Sequence, residues 1–201
     1  MLAAVVVFAA SSGLAQAQNL QARGIYLGVE GGANWLLNTT VNQPGAGSLN
    51  PQTGFGIGGV VGYDFLGPRV ELETIYRSNN ANTAFAPPGA APNPISVNTQ
   101  QTAIMANGYY DFLAGSRFVP YVGAGVGIAF VNASGFPGGA SNSTQFAYQG
   151  IVGVGYNISD KMRVNLDGRY YGTTSPTIGG GNWTNDNLGV MLGLQYKFGS
   201  P

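Results

Sequence analysis

The sequence predicts an all-β fold, a single eight-stranded antiparallel up-and-down transmembrane β-barrel, and three observations carry that prediction. Charged residues are only 8% of the 201, about a third of the usual share. Apolar residues alternate with polar ones instead of running together, and the connections between these stretches are short and long by turns. No apolar run reaches the ~20 residues of a spanning helix. A 44% hydrophobic fraction with 11 Tyr and 10 Phe is too apolar for disorder.

The first 17 residues read as a signal peptide. Leu2 to Ala10 has the length of an apolar h-region, Ser11 to Gly13 follow, and Ala15-Gln16-Ala17 is a small-residue cleavage pattern, so cleavage is expected before Gln18. Residues 18–201 then form one barrel domain.

Within that domain, period-two alternation marks eight stretches of spanning length: Gly24 to Trp35, Thr53 to Phe65, Arg69 to Asn79, Thr99 to Phe112, Phe118 to Val131, Phe146 to Ser159, Met162 to Gly172 and Thr184 to Phe198. Leu66 to Pro68, Leu113 to Arg117 and Asp160 to Lys161 are tight turns. Leu36 to Gln52, Asn80 to Asn98, Asn132 to Gln145 and Thr173 to Trp183 are long loops rich in Gly, Pro, Asn, Ser and Thr. Bacterial barrels keep short turns in the periplasm, so both termini are expected there, with the long loops extracellular. An even strand number lets the first and last strands pair, removing edges that lipid cannot satisfy.

Parity, set from the apolar residues alone, separates two faces. Outward stand Ile25, Leu27 and Val29, then Phe55, Ile57 and Val61, and so on to Leu188, Val190, Leu192 and Leu194. Every strand charge falls on the other parity: Glu30, Asp64, Arg69, Glu71, Glu73, Arg77, Asp111, Arg163, Asp167, Arg169 and Lys197. A soluble lipocalin-like barrel would show the inverse. Outward aromatics fall near both strand ends, as two interfacial girdles do.

The interior of an eight-stranded barrel is just wide enough to be filled by side chains. A luminal charge network is therefore expected from Glu30, Arg69, Glu71, Glu73, Arg77, Asp111, Arg163, Asp167, Arg169 and Lys197. Strands three and seven lie opposite each other in an eight-strand closure, so Glu71, Glu73 and Arg77 should meet Arg163, Asp167 and Arg169. Large residues there need small ones elsewhere, and Gly54, Gly56, Gly58, Gly123, Gly125, Gly127, Gly153 and Gly155 all take inward parity. The run Gly123 to Gly127 accordingly reads as luminal packing and not as a nucleotide loop, since no helical pattern follows it.

Little in the sequence suggests catalysis. Glu71 and Glu73 stand about 7 Å apart on one strand face, a spacing acid–base hydrolysis could use, but four arginines share their lumen and make ion pairing the simpler role. There is no His and no Cys, which removes the commonest general base and all thiol chemistry. No metal-ligand cluster and no cofactor motif is found. Zero net charge without a basic block argues against nucleic acid. The triplets at Asn38, Asn132 and Asn142 match the glycosylation pattern, which is common by chance.

Several stretches carry a family likeness: RVELETIYR, MANGYYDF, PYVGAGVGIAF, FAYQGIVGVGYNISD and LGLQYKF. They resemble the OmpA-type outer-membrane barrels, specifically the barrel-only branch of opacity-like and porin-family surface antigens of Gram-negative bacteria. The likeness covers nearly all of the mature chain, without the periplasmic peptidoglycan-binding domain of full-length OmpA. It also implies a barrel-assembly signal at Gly193, Tyr196 and Phe198. Met191 departs from that pattern, where a polar residue is usual, as do Gly199-Ser200-Pro201 after Phe198.

The function expected is that of a structural surface barrel in the Gram-negative outer membrane and not an enzyme, with lipid and the barrel-assembly machinery as partners. Its loops would contact host or envelope partners. The alternative is a narrow, low-conductance channel gated by luminal salt bridges.

Overall fold

The computed structural model describes residues 23–37, 50–51, 53–85, 93–134, 141–174, 177–178, 181–182 and 185–198. The segment read as a signal peptide lies outside them. Eight long strands make the wall: β1 (Gly24–Leu36), β2 (Thr53–Asp64), β3 (Pro68–Phe85), β4 (Asn93–Asp111), β5 (Phe118–Ser134), β6 (Ser141–Asn157), β7 (Met162–Thr173) and β8 (Asn185–Lys197). Each is antiparallel to its sequence neighbour. β1 also pairs with β8 from Tyr26↔Lys197 to Leu36↔Asn187, so the sheet closes on itself. Closure satisfies the backbone of every wall strand and removes the edge at which another chain could add.

Alternation sets which residues face which way. Val29, Val152 and Leu192 are 63%, 63% and 59% exposed on the outer wall, whereas all eleven strand charges are 9% exposed or less. Girdle aromatics pair across neighbouring strands or along one strand. At the end holding the short turns, ring centroids are 4.5 Å apart for Tyr63–Phe65, 5.0 Å for Phe118–Tyr156 and 5.1 Å for Tyr196–Phe198. At the other end, Phe55 lies 6.2 Å from Tyr76 and Tyr148 lies 6.4 Å from Tyr170.

The start of β1, the end of β8 and the short turns share one end of the barrel, where Phe198 N–H donates to Ile25 O and Lys197 N–H to Lys161 O. The β2–β3 turn reverses through two residues of positive φ, Leu66 at 69° and Gly67 at 128°. Leu66 N–H is held by Asp64 Oδ1 at 2.8 Å. β3 opens directly on Pro68, the position in a strand where a missing N–H costs least.

At the opposite end the strands run further than their alternation predicts. β3 and β4 stay paired from Asn79↔Thr99 out to Phe85↔Asn93, within the stretch expected to be loop. β5 and β6 pair out to Ala133↔Ser141, and Asn50–Pro51 adds to β3. Thr177–Ile178 and Gly181–Asn182 form a small ribbon of their own. Lipid-facing alternation stops where the apolar layer stops, but backbone pairing needs no apolar face to continue, so the sequence placed these ends too early.

Candidate functional site: the packed lumen

Inward parity brings charged and polar side chains from all eight strands into one buried column. At the turn end, Asp111 on β4 accepts from Arg69 Nε at 3.1 Å and from Arg163 Nη1 at 2.6 Å. The Arg69 guanidinium lies 4.6 Å from the ring centroid of Tyr109 and 5.2 Å from that of Tyr121. Asp64 and Lys197 form an adjacent ion pair.

The middle of the column is organised by Arg169. Its Nη1 and Nη2 reach both oxygens of Glu30 at 2.9 and 2.7 Å, Nη1 also reaches Glu73 at 3.0 Å, and Nε reaches Asp167 at 2.6 Å. A guanidinium presents five donors in a rigid fork, so one residue can hold three carboxylates drawn from β1, β3 and β7. Neutral groups complete the set. Asn107 and Gln149 donate to Glu73 at 2.7 and 2.9 Å, Tyr121 donates to Asp167 at 2.9 Å, and Tyr109 and Tyr26 donate to Glu71 at 2.9 and 3.0 Å.

Above Arg169 the lumen turns apolar. Ile75, Ala103, Met105, Ala129, Val131, Ala147, Tyr171 and Met191 pack into one buried cluster. Arg77 is only 4% exposed and lies 4.0 Å from the centroid of the Tyr171 ring. The mouth is closed by amides, with Asn34 donating to Asn79 at 2.9 Å and Gln101 donating to the Tyr171 hydroxyl. Two internal gaps, one around Glu71 and Arg169 and one around Arg77 and Asn34, are about 10 Å³ each, room for roughly one water apiece.

The expected meeting of strands three and seven occurs at one point only, Glu73 with Arg169. Arg163 is held by Asp111 of β4, not by β3. Arg77 meets an aromatic face, and Glu71 is held by neutral donors; neither forms an ion pair among the described residues. Strands in a barrel are tilted and staggered, so positions at equal depth in the sequence do not share a level in the lumen.

The inward tyrosines Tyr26, Tyr109, Tyr121 and Tyr171 were missed. Parity could have found them, since Tyr109 and Tyr171 stand out of step with their girdle neighbours Tyr110 and Tyr170. Inward glycines give these rings room: a Cβ at Gly123 would sit 2.4 Å from the Tyr109 ring, and one at Gly155 2.1 Å from Arg163 Nε. In the final strand, Gly193 is buried while Tyr196 and Phe198 face outward at 44% and 60% exposure.

The family model described as "Outer membrane protein beta-barrel domain" matches residues 1–198. This chain belongs to that family. Proteins similar to it include outer membrane protein PagN of Salmonella typhimurium, 27% identical over 87% of this chain and 90% of PagN. Major surface antigen 4 of Anaplasma marginale is 34% identical over 57% of this chain, which spans 45% of that relative. Among solved structures, Neisserial surface protein A matches with a TM-score of 0.60 at 19% identity, covering 87% of this chain and 97% of that one, a likeness of fold. The protein is thus an eight-stranded β-barrel of the Gram-negative outer membrane.

Proposed function

We propose that the barrel is a sealed membrane anchor whose long connections form a binding surface outside the cell. The observation carrying this reading is the filled lumen: among the described residues it is ion-paired below, apolar in the middle of its outer half and amide-capped at the mouth, and the gaps around Glu71 and Arg169 and around Arg77 and Asn34 are about 10 Å³ each. Glu30, Arg69, Glu71, Glu73, Arg77, Asp111, Arg163, Asp167, Arg169 and Lys197 then serve to fill and hold the barrel. The short turns and both termini face the periplasm, and Gly193, Tyr196 and Phe198 form the signal read by the assembly machinery. Within the small surface barrels, the OmpA-type likeness is the finer placement, and residues 1–17 are removed on export.

The names of relatives support a surface role: major surface antigen 4 is an antigen, and PagN an outer membrane protein. Single-channel recording on refolded protein tests the sealed lumen and should give no stable open conductance. A large, long-lived current would reject it.

A further inference from the structure

Five charged residues stand outside the lumen, and four of them, Arg23, Arg117, Asp160 and Lys161, are exposed at the end holding the short turns. That rim carries three cations against one carboxylate. The fifth, Asp186, stands at the opposite end of β8. An anionic headgroup is therefore attracted to the turn end.

Above that rim the outer wall is not evenly filled. An open, apolar groove of about 660 Å³ crosses β7, β8, β1, β2 and β3. Its lower edge follows one row of paired residues, Met162↔Tyr196, Tyr196↔Leu27, Leu27↔Val61 and Val61↔Leu72. Met162 opens β7 at the rim, whereas Leu72 lies well inside β3. Because barrel strands are tilted, the row climbs from the rim into the wall. Gly59 makes the hollow: it faces outward without a side chain, between Val29 of β1 and Thr74 of β3. A Cβ there would meet only Gly28 O, at 3.8 Å. Four strand spacings make the groove about 19 Å long, which suits an extended acyl chain lying oblique in a leaflet about 15 Å deep.

The charge and the groove meet at one place. Lys161 immediately precedes Met162, and its carbonyl accepts from Lys197 N–H beside Tyr196. Arg23 stands just before β1, on the same outward parity as Leu27. The strands they adjoin flank β8, two spacings or about 10 Å apart, so both long side chains can reach one phosphate between them. A second copy of the chain fits this face poorly, because a symmetric contact would set hollow against hollow and cation against cation.

We propose that the groove and its rim are a site for one anionic phospholipid, with the phosphate held by Lys161 and Arg23 and one acyl chain laid from Met162 to Gly59. In the orientation proposed above the lipid belongs to the periplasmic leaflet. The site itself does not depend on that orientation, so failure of one leaves the other standing.

The test is native mass spectrometry of the folded barrel in detergent micelles, titrated with phosphatidylglycerol or with phosphatidylcholine. One phosphatidylglycerol should be retained, at least about tenfold more tightly than phosphatidylcholine. Gly59→Leu fills the groove and should weaken that binding about tenfold. Gly150→Leu, on the outer face of β6 where an added Cβ meets nothing within 4 Å, is the matched control and should change nothing. Arg23→Gln combined with Lys161→Gln should abolish the preference for phosphatidylglycerol and leave weak, equal retention of both lipids. Heat-modifiable migration checks that each variant is folded. Equal retention of the two lipids by the unaltered protein, undiminished binding by either groove or rim variant, an equal loss in Gly150→Leu, or a dimer in place of the lipid adduct overturns the proposal.

Discussion

Arg169 shows how much a single luminal side chain can hold. Its guanidinium is within 3.0 Å of Glu30, Glu73 and Asp167, and all four residues are nearly closed to solvent. An ion pair in such a place is a weak source of net stability, because desolvating the charges offsets their attraction. Removing one partner is different, since it strands the others. Arg169→Met should therefore destabilise the barrel by about 3–5 kcal/mol, measured by urea unfolding in vesicles. A loss near zero would mean that water or a neighbouring donor replaces the guanidinium. Leu66 illustrates the opposite economy: its φ of 69° is unfavourable for a side chain with a Cβ. Leu66→Gly should raise stability by about 0.5–1 kcal/mol in the same assay.

At the scale of one strand, the two faces obey different rules. The outer face must be apolar, so Val190→Lys in β8, at a position 45% exposed on the wall, should cost about 2–4 kcal/mol of insertion stability. Equal stability would put Val190 away from the bilayer midplane. The inner face must fit its neighbours. A Cβ on Gly127 would stand 2.0 Å from Ile104 O and 2.7 Å from Met105 Sδ, and a backbone oxygen cannot swing aside. Gly127→Ala should lower folding yield and cost about 1–3 kcal/mol. The same change at Gly108, whose added Cβ would meet nothing within 4 Å, is the control and should leave heat-modifiable migration unchanged.

For the molecule as a whole, closure and filling are separate achievements. The β1–β8 pairing closes the wall, and the luminal stack closes the bore. A channel gated by salt bridges would have to open the Arg169 cluster and also the apolar layer of Ile75, Met105, Tyr171 and Met191 that stands in series with it. Arg169→Ala should consequently leave planar-bilayer current at its baseline, whereas adding Met105→Ser and Met191→Ser should produce measurable flux. A sharp rise in current from Arg169→Ala alone would return the channel reading to favour.

The sequence by itself determined the strand number, the order, the closed antiparallel topology and the face on which each residue stands. Alternation is a local property: successive side chains point to opposite sides whatever lies across the barrel, so Glu30 and Arg169 could be assigned to the interior without knowing what they meet. Only the tertiary structure decided which luminal groups touch: that Arg163 is held by Asp111, that Arg77 rests on Tyr171, and that Glu71 is held by tyrosines. Those contacts depend on strand tilt and stagger, which are set by closing all eight strands at once and leave no mark on any one of them.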